Sequence, residues 1–236
     1  MPETILKFDA ILFDMDGTLV DSAAGVHGAW NLFAQQYPGI DVHQILSSSH
    51  GVRTVDNLRI HCGVTDPDEL EREAVRFEEA IVTSASQDGG KGIVALPGVM
   101  GIINEARSAD WSPGPCWAIC TSATRNYATK ALGAAGLPVP DVFVVAEDVT
   151  QGKPEPDPYL LGAKKCGVEA ARCLVVEDAP NGVRSGNSAG CTTLALLTTH
   201  PKEQVEASNP NYIVQDLSSV TMKRLEEGGV EVIIKS

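Results

Sequence analysis

Apolar and polar positions change period twice along the chain. In the second half, short apolar runs alternate with stretches of helical spacing. Residues 116–120, 142–145, 173–176, 192–197 and 212–214 read as strands, being apolar, β-branched or aromatic and only a few residues long. Residues 124–136, 158–167 and a Gly- and Ala-containing stretch near 182–189 read as the helices between them. This βαβα rhythm predicts a parallel sheet with helices on both faces and right-handed crossovers. Residues 228–234 read as a turn leading to an edge strand.

Near the start, Ala10-Ile11-Leu12-Phe13 is a fully apolar run closed by a Gly turn at Gly17, the pattern of a buried parallel strand. Beyond that turn the period becomes helical. Residues 22–36 carry Val26, Trp30 and Phe33 at helical spacing, residues 68–86 carry Leu70, Val75, Phe77 and Ile81, and residues 52–62 form a third helical stretch. No strand is evident among them, and the stretch closes on Gln87-Asp88-Gly89-Gly90-Lys91-Gly92, a flexible linker by composition. The expected architecture is therefore α/β: a doubly wound, mostly parallel core from residues 1–21 and 92–236, with an all-helical lobe, residues 22–91, inserted after the first strand. Residues 21–24 and 88–92 would be its hinges. Trp30 is expected to pack inside the lobe and Asp21 to cap its first helix.

Charge narrows the partners. Lys and Arg total 18 against 31 Asp and Glu, a formal charge of −13, which argues against general binding to nucleic acid or anionic membranes. A small anionic substrate stays open, because a local cation reverses the field inside a pocket. Cys62, Cys116, Cys120, Cys166, Cys173 and Cys191 form no Cys-x-x-Cys pair and sit among apolar neighbours, so buried free thiols are expected. The start shows no basic region before a long apolar stretch, and no apolar run approaches membrane-spanning length. A cytoplasmic protein is the expectation.

The chemistry concentrates at strand ends. Asp14 and Asp16 come directly after the first apolar run, and residues i and i+2 of an extended segment point the same way. Like charges that close repel unless a cation or a shared proton offsets them, so the pair implies a metal site, an acid/base pair, or both. Thr121-Ser122, Lys153 and Glu177-Asp178 each fall just after a predicted strand, where open α/β sheets gather their reactive groups. A hydroxyl that donates to phosphoryl oxygens, an ammonium that offsets developing charge and paired carboxylates that suit Mg²⁺ form a phosphate-and-metal inventory.

In content and order this set resembles the haloacid dehalogenase superfamily of phosphotransferases, over nearly the whole chain. A helical lobe between the first and second motifs resembles the subgroup capped at that point. Ser49-His50-Gly51-Val52-Arg53-Thr54, the stretch from Trp117 to Arg125 and Val176-Glu177-Asp178-Ala179-Pro180-Asn181-Gly182 are similar to phosphatases of small sugar and polyol phosphates. The resemblance implies that Asp14 attacks phosphorus and becomes an aspartyl-phosphate, and that Asp16 protonates the leaving alcohol and then deprotonates water. It implies Mg²⁺ on the Asp14 carboxylate, the Asp16 main-chain carbonyl and Asp178, with Glu177 as a further ligand or an outer partner. Thr121, Ser122 and Lys153 would hold phosphoryl oxygens, and His50 and Arg53 would reach substrate from the cap. The implied partner is a small phosphorylated sugar or polyol, with no nucleic acid or membrane and a monomeric chain. A sugar phosphomutase with the same nucleophile is the alternative, and a catalytically silent binding module of this fold is the other. Ala123 departs from the Gly often found there, and His27, His43, His61 and His200 show no pattern.

Overall fold

The computed structural model describes residues 3–87, 90–106, 117–226 and 228–235. Strand β1 (Glu3–Phe8) leads into β2 (Ala10–Phe13), whose four residues are all buried. A short β3 (Val20–Asp21) then opens a run of helices: α1 (Ala23–Ala34), α2 (Val42–Ser48), α3 (Thr54–Cys62) and α4 (Pro67–Ala85). Strand β4 (Val94–Ala95) pairs antiparallel with β3, matching Val20 to Ala95 and Asp21 to Val94. The ribbon thereby joins the two ends of the helical segment. Helix α5 (Val99–Ala106) and β5 (Trp117–Cys120) begin the alternating part. It continues through α6 (Arg125–Ala134), β6 (Val142–Val144), α7 (Asp157–Cys166), β7 (Cys173–Glu177), α8 (Pro180–Ser188), β8 (Thr192–Leu196), α9 (Lys202–Glu206) and β9 (Tyr212–Val214). Strands β10 (Val220–Arg224) and β11 (Val230–Lys235) complete the order.

The main sheet has six parallel strands in the order β6-β5-β2-β7-β8-β9. Both of its faces are covered, which is why its strands read as unbroken apolar runs. Alternate residues feed two cores. Ile11, Phe13, Ile119, Leu174 and Val176 join one; Ala10, Leu12, Ala118, Cys120 and Val175 join the other with Tyr159 and Ala163 of α7. Strand β2 lies between β5 and β7, where the strand order reverses, and in such sheets that point opens a crevice at the carboxyl ends.

The expected edge strand at 228–234 is corrected. β11 is the middle strand of a separate antiparallel sheet, β1-β11-β10. Val230, Val232 and Ile234 are buried while the residues between them are half-exposed, the period of two that a sheet covered on one face requires. The helix expected over 52–62 begins two residues later, at Thr54, and α2 has no counterpart in the sequence reading.

Helices α1 and α4 pack closely. A Cβ on Gly25 would stand 2.4 Å from the Ile81 carbonyl, so only glycine admits the approach. Trp30 is 2% exposed and packs against Phe33, Phe77 and His61, as the apolar spacing suggested. Asp66 starts α4 by accepting the Glu69 N–H, with Pro67 in the first turn. Asp21 accepts the Ala23 N–H at the start of α1. Cys62, Cys120, Cys166, Cys173 and Cys191 are free thiols, and burial pushes Cys62 and Cys166 up to about 11. Cys116 and the linker residues 88–89 lie outside the described residues. No described helix is long and apolar enough to cross a membrane.

Candidate active site

Asp14 stands where β2 ends, its N–H still bonded to the Val176 carbonyl of β7. Its carboxylate is reached from the loop before α7. Lys153 Nζ lies 2.5 Å from Asp14 Oδ1 and 2.7 Å from Glu177 Oε1, with its own side chain fully enclosed. Tyr159 of α7 donates to the same Glu177 oxygen at 2.8 Å. The other oxygen, Oε2, accepts the N–H groups of Asp178 and Ala179 at 3.0 and 3.1 Å. Four donors therefore occupy Glu177, which makes it the fixture that holds Lys153 against Asp14. Gly182 opens the space for it: a Cβ there would fall 1.6 Å from Glu177 Oε1.

Asp16 reaches sideways. Its Oδ1 accepts Ser22 Oγ at 2.6 Å and Tyr127 OH at 2.8 Å. Asp178, at the end of β7, accepts Thr18 Oγ1 at 3.1 Å and the Thr199 hydroxyl. His50 Nδ1 lies 3.1 Å from Asp178 Oδ2, at an angle that makes this an ion contact without hydrogen-bond geometry. The His200 ring stacks edge-on beside His50 at 5.6 Å.

The charges act strongly on one another. Burial raises the Asp14 carboxyl well above the ordinary range; Lys153 opposes this, while Glu177 and Asp178 add to it. Burial also raises Asp16, against the pull of Ser22 and Tyr127. Burial disfavours the His50 cation, yet Asp178 outweighs it and His50 rises to about 9. For Asp178 the burial effect is likewise overcome, and His50 holds it below its usual value.

A cavity of about 90 Å³ lies over Asp14 and Asp16, and Thr121, Ser122 and Tyr127 line it from the core. Trp30, Ser49, His50, Asn57 and Glu78 line it from the helical segment. The sequence-derived residues thus converge, with differences in detail. Thr121 Oγ1 accepts the Ala123 N–H, and Ser122 Oγ donates 2.7 Å to the Gly51 carbonyl, tying core to helical segment. Arg53, expected to touch substrate, is directed elsewhere. Its Nε donates to Asp56, and its Nη1 donates to the carbonyls of Val149 and Thr150 at 3.3 and 3.1 Å. It is a strap across to the core loop and does not line the cavity. Thr18, Ser22, Tyr127, Tyr159, Thr199 and His200 went unforeseen. Only Thr18 and Ser22, close to the two aspartates in sequence, carried a local signal.

The acidic groups suit a cation. Asp14, Glu177 and Asp178 each offer a carboxylate oxygen within 4.8 Å of the others. With all ionised, the four carboxylates of Asp14, Asp16, Glu177 and Asp178 face, among the described residues, the cations Lys153 and His50, an excess of two negative charges that one divalent ion offsets. Hard oxygen donors of this kind fit Mg²⁺.

Comparison with known proteins shows the family. The model of the haloacid dehalogenase-like hydrolase family matches residues 8–190. The chain is 36% identical to hexitol phosphatase A of Escherichia coli over 225 residues, covering 95% of this chain and 99% of that one. It is 32% identical to glycerol-1-phosphate phosphohydrolase 2 of Saccharomyces cerevisiae, covering 91% and 85%. A hydrolase from Pseudomonas syringae superposes with a TM-score of 0.73 at 28% identity, over 89% of this chain and 94% of that one.

Proposed function

The chain belongs to the haloacid dehalogenase-like hydrolases, and from that premise we propose that it is a Mg²⁺-dependent phosphatase that hydrolyses small sugar or polyol phosphates through an aspartyl-phosphate on Asp14. The observation that carries this reading is the convergence on one cleft of Asp14, clamped by Lys153, and Asp16, held by Ser22 and Tyr127. The polyol phosphates named for the Escherichia coli and Saccharomyces cerevisiae relatives support the substrate class.

In the first step the Asp14 carboxylate attacks phosphorus, a bond forms from its oxygen, and the ester P–O bond breaks. Asp16 passes its proton to the departing alkoxide. Its buried, raised carboxyl is suited to carrying that proton, and Ser22 and Tyr127 stabilise the carboxylate left behind. In the second step Asp16 takes a proton from water, the water oxygen attacks phosphorus, and the bond to Asp14 breaks to release inorganic phosphate. Lys153 offsets the charge on Asp14 and on the phosphoryl oxygens, and Glu177 keeps it in place. Thr121 supplies its hydroxyl and Ser122 its main-chain N–H as further donors, since the Ser122 hydroxyl is donated to the Gly51 carbonyl.

Asp14, the Asp16 carbonyl and Asp178 would hold Mg²⁺, with Glu177 behind them. When bound, the ion supplies the positive charge that favours ionised Asp14 beside a dianionic ester. Residues 22–91 act as the cap, placing His50 over the cleft.

A phosphate-release screen over sugar, polyol and nucleotide monophosphates, with Mg²⁺ and with chelator, tests the reading. Turnover should need Mg²⁺ and vanish in Asp14→Asn. An isomerised monophosphate in place of free phosphate would point instead to a mutase.

A further inference from the structure

Glu78 is a carboxylate that neither step of the hydrolysis uses. It sits on α4, is 3% exposed, and lines the cavity beyond the two aspartates. Its Oε1 accepts Thr54 Oγ1 and the Thr124 N–H, both at 3.1 Å, and its Oε2 accepts the Thr124 hydroxyl. Burial raises its carboxyl, and the Asp16 charge adds to this. Two carboxylate oxygens offer about four acceptor positions, so three donors leave one open on Oε2.

The rest of that end has a consistent character. Trp30, Phe77 and Ile81 give it an apolar wall, and Asn57 and Thr54 give it neutral polar groups. Among the described residues no Lys or Arg lines the cavity. The adjoining groove, which shares Glu78 and Tyr127 with it, contains Lys130, but Glu79 lines it as well. The site's cations, Lys153 and His50, gather at the Asp14 end. The cations thus stand at Asp14 and Asp178, while Glu78, held by Thr54 and Thr124, offers the cavity a negative charge and a hydrogen-bond acceptor.

Building on the phosphatase reading, we propose that Glu78 sets substrate selectivity: it accepts a hydrogen bond from a hydroxyl of a polyol monophosphate and excludes substrates that carry a second phosphate there.

The test measures phosphate release with Mg²⁺ from a hexitol 6-phosphate and from the matching 1,6-bisphosphate. The wild-type chain should favour the monophosphate in kcat/KM by about 100-fold, since like charges brought together cost several kcal/mol. Glu78→Gln keeps the shape and removes the charge, and should shrink that ratio by about 10-fold, chiefly through KM. A merely structural role for Glu78 would lower both rates together and leave the ratio unmoved, which would overturn the proposal. Wild-type rates for the two esters within about 3-fold of each other would overturn it whether or not the variant folds. If the wild-type chain released phosphate from no monophosphate at all, the phosphatase reading would fall and take this one with it. Brisk hydrolysis without selectivity removes only the role of Glu78.

Discussion

Tyr127 donates its hydroxyl to Asp16 at 2.8 Å, linking the first turn of α6 to the loop after β2. This bond favours the ionised form of Asp16, and so helps set how easily its proton leaves. Tyr127→Phe removes the donor, and the Asp16 carboxyl should rise further. The alkaline limb of the kcat/KM profile, which reports loss of the proton needed by the leaving group, should move to higher pH, with kcat down by about 10-fold. A limb that stays put, or moves to lower pH, would contradict this role for Asp16.

Charge in the cleft makes metal-free stability depend on pH. Asp14 and Asp16 are raised in the folded chain, so it holds more protons than the unfolded chain just above the ordinary carboxylate value of 3.8. His50, raised from 6.5 to about 9, extends that excess through neutral pH. These groups make stability fall as pH rises from 6.5 to about 9, whereas His61 and His200, whose rings burial lowers, act the other way below 6.5. Asp178 acts the other way, but only below 3.8, because its carboxyl is lowered. Melting temperatures in chelator should drop across the 6.5 to 9 window, and the gain from added Mg²⁺ should be larger at the alkaline end. A flat or rising profile in chelator would sink this account.

Arg53 offers a sharper contrast. As a strap to the carbonyls of Val149 and Thr150, its loss in Arg53→Ala should cost about 1–2 kcal/mol of stability and raise KM by no more than about 5-fold. A loss of about 100-fold in kcat/KM, with melting unchanged, would show instead that the guanidinium grips substrate.

Gly182→Ala places a methyl group into the Glu177 carboxylate, since the Cβ position lies 1.6 Å from Oε1. Glu177 must move, and Lys153 loses one of its two anionic partners. Activity should fall by about 100-fold or more, together with a stability loss of about 3 kcal/mol, the scale of breaking a buried charge pair. Retention of near-normal turnover would mean that Glu177 does not hold Lys153 for the reaction.

The parallel strands were legible because each is buried on both faces, which leaves an apolar run that periodicity detects directly. The acidic pairs were legible because each comes directly after such a run, and Lys153 because prolines stiffen the loop that carries it. The antiparallel sheet was not. β1 and β11 are neighbours only through pairing across the length of the chain, Glu3 with Lys235, and nothing local in Glu3–Phe8 announces it. The polar shell around the carboxylates was hidden for the same reason. Tyr127 meets Asp16 across 111 residues and Thr18 meets Asp178 across 160, distances over which sequence spacing carries no information. Arg53 shows the converse: a side chain suited to phosphate serves two backbone carbonyls, because the loop beside it offers them first.

The pairing of β2 with β7 has a consequence for assembly. Phe13 lies against Val176, so the strand that leads to Asp14 finds this neighbour only when a segment more than 150 residues later has been made. Closing so long a loop is slow compared with forming the local contacts between α1 and α4. Asp14 and Asp178 are brought together only by that long-range pairing, so their mutual repulsion is set against the whole sheet and not against any local contact.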